Sequence, residues 1–239
     1  MNLIFDFGNS LAKIALFRDG QLLEKQTFPT DDLHQIQKAL QMLPDVEAAI
    51  ISNVSKEFKL EQFPFPILDL NAKSPLPFTL NYLSPDTLGI DRIALAAGAQ
   101  KLYPHKNCLI IDCGTCITYD FLDENSIYHG GGISPGLEMR LKSLAHFTAR
   151  LPHISKRSDF QLVGKSTEES ILSGSIGGFK REVEATIAEY NKRYPSLITI
   201  ITGGDANQFD YLLKNSIFAA PDFLLTGLNH ILEYNAERL

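Results

Sequence analysis

Two aspartates in this chain each stand at the end of an apolar run, two residues ahead of a glycine. Asp6 follows Leu3-Ile4-Phe5 and precedes Gly8; Asp112 follows Leu109-Ile110-Ile111 and precedes Gly114. Glycine lets the backbone turn tightly and lets a ligand approach the main chain. The N–H groups of such a turn form an anion-binding concavity. A carboxylate repels phosphate directly, so an aspartate there makes sense when a cation, usually Mg²⁺, lies between them. Lys13 lies on the apolar run after the first turn, within reach of a phosphate, and Thr115 offers a hydroxyl at the second. A third carboxylate, Asp91, opens a helical pattern in Gly89-Ile90-Asp91-Arg92. First-turn N–H groups favour an anionic side chain there, so capping is the plain alternative to chemistry.

The elements that must hold these residues are strands. Val/Ile/Leu/Phe-rich runs bounded by turn residues read as strands. Residues 3–16 and 109–122 match at a constant offset of 106: Leu3 on Leu109, Asp6 on Asp112, Gly8 on Gly114, Leu11 on Ile117 and Leu16 on Leu122. A strand–Asp-x-Gly–strand unit written twice predicts a duplicated domain. The two halves are expected at 1–106 and 107–239, with the C-terminal helix free to pack back on the first half.

The totals agree with two modest cores. The chain has 239 residues, 44% of them hydrophobic and 21% charged, with a net charge of −6. That composition is ordinary for a globular protein. No basic run exceeds two residues, which argues against nucleic acid as a partner. Neither an 18-residue apolar stretch nor a secretory leader is legible, so a cytoplasmic protein with no membrane association is expected. Cys108, Cys113 and Cys116 read as reduced, small apolar fillers. Cys113-Gly-Thr-Cys116 lacks the helix start or second ligand pair that redox or zinc chemistry needs.

Along the chain the pattern predicts strands at 3–8, 11–18 and 21–28, joined through Asp19-Gly20. A helix follows over 31–42, with Leu33, Ile36, Leu40 and Leu43 on one face, then a strand over 48–52. Five prolines restrict 63–86 to short strands and rigid loops. A small-residue helix begins at Gly89. After the second hairpin, Ser126–His129 is a strand running into Gly130-Gly131-Gly132-Ile133-Ser134-Pro135-Gly136, whose glycines allow close backbone approach. Ser134 as N-cap and Pro135 at N1 predict a helix over 135–147. Ser166-x-x-Glu169 is a capping box for a long helix to about 193. A strand over 197–202 ends in Gly203-Gly204-Asp205, and helices over 205–214 and 221–236 close the chain.

Asp6-Phe7-Gly8-Asn9-Ser10-Leu11-Ala12-Lys13, Gly89-Ile90-Asp91-Arg92, Asp112-Cys113-Gly114-Thr115 and the Gly130–Gly136 run, in this order, resemble the type III pantothenate kinases. So do Thr148-Ala149-Arg150-Leu151-Pro152 and Gly164-Lys165-Ser166-Thr167. That family lies in the superfamily of acetate kinase, sugar kinases and actin. The Asp-x-Gly turns mark only the superfamily, whereas the G-x-D-R signature and the glycine/proline run are specific to the family. Ser10, where Thr is usual, keeps the hydroxyl, and Cys116 replaces a small residue such as Ala.

The resemblance implies an α/β fold of two ribonuclease H-like (actin-like ATPase) domains, with mixed β-sheets flanked by helices. It implies ATP-dependent phosphorylation of pantothenate to 4′-phosphopantothenate, the first step of coenzyme A biosynthesis. Residues 6–13 would form the phosphate loop, with Asp6 holding Mg²⁺ and Lys13 meeting phosphate. Asp91 would be the base, and Tyr82, Gly89, Ile90, Asp91, Arg92 and Thr167 would line the pantothenate pocket. Asp112 would bind a monovalent cation, K⁺ or NH₄⁺, and Thr115 would contact ATP. A homodimer is implied as well. Two alternatives stand beside this reading: a superfamily kinase for another small alcohol or sugar, and a non-catalytic regulatory relative.

Overall fold

The structure, a computed structural model, describes residues 1–8, 11–32, 34–35, 38, 45–53, 63–157, 159–209, 216–218 and 222–239. It divides into two compact units: 1–104 with 126–128 and 222–239, and 105–125 with 129–221. Among the described residues no helix is long and apolar enough to cross a membrane.

In the first unit, β1 (Asn2–Phe7), β2 (Leu11–Arg18) and β3 (Gln21–Pro29) run antiparallel. Asp19 and Gly20 take φ of 51° and 75°, the left-handed pair a two-residue hairpin of right-handed twist requires. On the other side β4 (Ala48–Asn53) and β5 (Ile67–Asp69) run parallel to β1, giving the order β3-β2-β1-β4-β5. Leu3, Phe5 and Phe7 point into one core with Ile14, Leu16 and Ile51. The period of two sends Asn2, Ile4 and Asp6 to the opposite face.

Two helices serve that unit. α1 (Ile90–Leu102) carries the apolar, alanine-rich stretch that buries Ile93 through Ala99. Sequence-distant residues 222–239 return here, as the sequence allowed, and a second helix (Phe223–Asn235) packs on α1. Small residues set the crossing: a Cβ on Gly227 would collide with the Ala94 carbonyl, and one on Gly98 would lie 3.1 Å from the Phe223 carbonyl. That helix also packs on β1, where Asn2 donates to Asn229 at 2.8 Å.

The second unit repeats the strand plan. β7 (Cys108–Cys113) pairs antiparallel with β8 (Cys116–Leu122), while β10 (Ile198–Thr202) and β11 (Ser216–Phe218) run parallel to β7. The order β9-β8-β7-β10-β11 mirrors the first sheet. α2 (Leu137–Phe147) and α3 (Thr167–Arg193) bury Leu141, Ile176 and Phe179 against Ile111, Tyr119 and Ile201. β9 (Ile127–Pro135) opens in the first unit, where β6 (Thr79–Leu80) pairs with its residues Ile127 and Tyr128.

Four expectations change. The strand expected over 126–129 runs on through the glycines, and Ser134 is not a cap: β9 extends to Pro135 and α2 begins after Gly136. The Ser134 hydroxyl is instead committed to Arg140 Nη2 at 2.9 Å. A Cβ on Gly131 would run into the Tyr119 carbonyl, so glycine is what permits this close approach to β8. Third, the offset of 106 holds only up to the turn. Phe7 pairs with Ala12, but Cys113 pairs with Ile117, so the second turn is one residue shorter and the offset beyond it is 105. Accordingly Ile117 is buried like Ala12, whereas Leu11, its expected match, is 48% exposed. The expected 205–214 helix is a 3₁₀ turn over Ala206–Phe209 where described; its remainder, and Leu33, Ile36, Leu40 and Leu43 of the 31–42 helix, lie outside the described residues.

Candidate active site

In the first unit Asp6 is the penultimate residue of β1 and Lys13 is its cross-strand partner on β2. Directly opposed side chains on one face meet, and here the Lys13 ammonium lies 3.4 Å from Asp6 Oδ2. Ser52 on β4 is the partner of Asp6 on the other side. Burial pushes the Asp6 carboxyl above the usual aspartate range; the charge of Asp91 adds to this, and Lys13 pulls against it. A central strand end therefore holds an under-neutralised carboxylate. The turn is closed by the Gly8 N–H on the Leu11 carbonyl (3.0 Å) and held from outside by the Thr30 hydroxyl on the Gly8 carbonyl (3.0 Å).

Phe7 and Ala12 belong to the core, with Phe7 stacked on Phe5 at 6.0 Å, so their share in a phosphate loop is backbone only. Asn9 and Ser10 lie outside the described residues.

Asp91 stands in the first turn of α1, with Gly89 as N-cap. Its Oδ1 accepts from the Arg92 amide at 2.9 Å, and the carboxylate folds back over Gly89. A Cβ at position 89 would occupy the place of that oxygen. Glycine is thus needed here for the pose of Asp91. Arg92 turns inward and is 5% exposed. Tyr82 belongs to a different group: it follows β6 and packs on Tyr128.

In the second unit Asp112 takes the place of Asp6 on β7. Its carboxylate lies beneath the turn, within van der Waals reach of a Cβ on Gly114 (3.7 Å). Gly203, with φ of 93°, presses against Asp112 and the Cys113 backbone so closely that no side chain fits. This turn too is held from outside. The Gly136 N–H donates to the Thr115 carbonyl (3.1 Å) and the Asp205 N–H to the Cys113 carbonyl (3.0 Å). Asp205 is buried and ion-paired with Lys156. Thr167 begins α3, where the Ser166 hydroxyl caps the Glu169 amide at 3.2 Å as expected, while the Glu169 carboxylate accepts from the Lys165 amide at 2.6 Å. The Cys108 thiol is pushed up to about 12 by burial, and that of Cys113 higher still, so both are fillers rather than nucleophiles.

The structure therefore brings Asp6, Lys13 and Asp91 together in one unit, and Asp112, Thr115 and Gly203 in the other. Ser52, Thr30 and Tyr128 escaped the sequence reading. The first two act through sheet register and a hydrogen bond across 22 residues, which no local pattern encodes. Tyr128 could have been noticed as the aromatic two residues ahead of the glycine run.

Comparison with known proteins bears on the family of the chain. A family model described as type III pantothenate kinase matches residues 2–189. A type III pantothenate kinase of Christiangramia forsetii is 48% identical, covering 98% of this chain and 99% of its own. One of Phocaeicola vulgatus is 42% identical over the same shares. Among solved structures, a Campylobacter jejuni chain provisionally described as a Baf family transcriptional activator aligns with a TM-score of 0.65. It is 22% identical, covering 98% of this chain and 99% of that one, and so speaks to the fold alone. The fold is that of the actin-like ATPases and sugar kinases. With the family model spanning both Asp-x-Gly turns and the Asp91 helix, and near-complete coverage in relatives at over 40% identity, this chain belongs to the type III pantothenate kinase family.

Proposed function

We propose that this protein transfers the γ-phosphoryl group of ATP to the terminal hydroxyl of pantothenate, giving 4′-phosphopantothenate, the first step of coenzyme A biosynthesis. The observation that carries the reading is the Asp6–Lys13 pair at the end of β1 in the first unit, with the Asp91 carboxylate close enough for its charge to act on Asp6. Phosphoryl transfer is mostly positioning and charge neutralisation. Lys13 supplies fixed positive charge for a phosphate oxygen. Asp91, its pose set by Gly89 and the Arg92 amide, accepts the hydroxyl proton. The proton leaves late in a loose transition state, so a strong base is not required.

The donor set suits a hard cation. Asp6 is a carboxylate oxygen ligand, buried and incompletely balanced by one lysine at 3.4 Å, which is the setting that Mg²⁺ with its waters would satisfy. Mg²⁺ bound there would neutralise charge on the transferred phosphate. Asp112, enclosed by Gly114 and Gly203, is the proposed seat of K⁺ or NH₄⁺, and Thr115 the proposed ATP contact. Tyr82, Gly89, Ile90, Arg92 and Thr167 complete the proposed pantothenate pocket. A homodimer in the cytoplasm is also proposed. Its support is the exposed apolar set of the second unit, with Ile133 65%, Phe147 82% and Leu162 73% exposed.

The test is ADP release with MgATP and K⁺, with and without pantothenate. Pantothenate-dependent release is expected. Asp91→Asn should bind both substrates and lose about 10²–10⁴ in kcat; unchanged turnover would remove Asp91 as the base. Na⁺ in place of K⁺ should lower activity in the native enzyme and have no further effect in Asp112→Ala.

A further inference from the structure

We infer that Tyr128 is a positioning residue for the acceptor substrate, acting through Tyr82 and the short strand β6; this rests on the reading of Tyr82 as part of the pantothenate pocket. Tyr128 is among the largest fully buried side chains of the molecule, at 0% exposure. A tyrosine with no solvent contact at the opening of a strand, just ahead of three glycines, marks an anchor. Its ring sits between two others of the same unit: Phe78 at 6.2 Å and 43°, and Tyr82 at 6.1 Å and 56°. Tilted pairs at such separations are attractive and orient the rings.

The backbone adds a second hold. The Thr79 N–H donates to the Ser126 carbonyl and the Asn81 N–H to the Tyr128 carbonyl, each at 2.9 Å, with Leu80 opposite Tyr128 in the parallel register. Strand β6 is two residues long and belongs to a proline-rich stretch. Strands so short have little stability of their own. Beyond it Leu83 is fully exposed, so the segment that presents Tyr82 leaves the protein surface immediately after the ring. What fixes the Tyr82 ring is therefore the pair of contacts at Tyr128: ring on ring, and main chain on main chain. Removing the Tyr128 ring leaves the backbone pair but frees Tyr82 to reorient. An ångström of misplacement in a substrate-positioning group is enough to cost up to about a hundredfold.

The experiment is a double-mutant cycle of Tyr82→Leu and Tyr128→Leu in the full-length enzyme, reading kcat and both KM values. Tyr128→Leu should raise the KM for pantothenate roughly five- to twentyfold, leave the KM for ATP within about twofold, and recover in Tyr128→Phe. Because Tyr128 acts through Tyr82, the double variant should be no worse than Tyr82→Leu alone. Additive losses, or equal rises in both KM values, would overturn the inference by showing that Tyr128 acts elsewhere or only on folding. A Tyr82→Leu enzyme with native pantothenate KM would instead overturn the reading of Tyr82, and the inference with it. If Tyr128→Leu does not fold, Tyr128→Phe and Tyr128→Met carry the same comparison. A Met variant equal to the native enzyme in pantothenate KM would overturn the ring-specific role.

Discussion

The two Asp-x-Gly turns share a scaffold and differ in charge. Each aspartate ends the central strand of an antiparallel hairpin, with a parallel strand on its other flank: Ser52 beside Asp6, Thr202 beside Asp112. Across the hairpin, however, Asp6 faces Lys13 and Asp112 faces Thr118. Thr118 turns its hydroxyl to buried Asp120 at 3.1 Å rather than offering a cation. The first turn thus carries both charges needed to handle a metal-bound phosphate. The second carries a carboxylate enclosed by glycines, suited to a cation alone. A duplicated scaffold supplies two equivalent positions; in the proposed reading, their different cross-strand partners divide the work between them.

The sharpest way to break that contrast is to remove the cross-strand partners in turn. Lys13→Met should lower kcat by about 10²–10³, the cost of losing a fixed charge on a phosphoryl group. Thr118→Val should stay within about threefold in turnover while losing roughly 1 kcal/mol of stability with its hydrogen bond. Steady-state kinetics and melting curves check both; equal kinetic losses would mean the turns are not divided as described.

Next in size is a steric comparison. Gly203→Ala meets Asp112 and the Cys113 backbone and must also hold φ at 93°, a conformation that costs a non-glycine residue of order 1 kcal/mol or more. It should lower kcat/KM for ATP by at least about tenfold, or fail to fold. Among the described residues Gly8→Ala faces the Leu11 carbonyl at 3.1 Å, and it should be milder in both readings.

The smallest effect concerns pH. Burial raises Asp6 above the ordinary aspartate value of 3.8, so the folded protein binds this proton more tightly than the unfolded chain. Its contribution to stability is then fully present below pH 3.8 and lost as pH rises through the folded value. Where it is ionised Asp6 is a burden to the fold, and at pH 7.5 Asp6→Asn should melt no lower than the native protein while losing its turnover. A clear drop in Tm would show that the Lys13 pair outweighs desolvation. His230 works the other way: burial lowers it below 6.5, so stability should fall as pH drops below that value.

Much of this was legible locally. The Asp-x-Gly repeat, the Ser166 helix cap and the Asp91 first turn are short-range patterns, and the strands of both hairpins and the helices begun at Gly89 and Ser166 formed where the local pattern put them. The misses have a common cause. Ser134 and Pro135 look like a helix start, yet β9 continues through them because glycines at 130–132 let it lie tightly on β8, a gain visible only once Tyr119 is opposite. The matching of Leu11 to Ile117 failed because period-two patterns tolerate a slip until pairing decides which face is buried.

By itself, then, the sequence determined the family, the duplicated strand plan and the acidic residues available for phosphate chemistry, since these reside in residue type and close spacing. Tertiary structure alone decided that Asp6 meets Lys13 and feels the charge of Asp91, that Thr30 pins the first turn, that Gly203 closes over Asp112, and that the last helix returns to brace α1. Those pairings join residues far apart in the chain, and they arise from register and from small side chains that admit close backbone approach, properties that no local window of sequence carries.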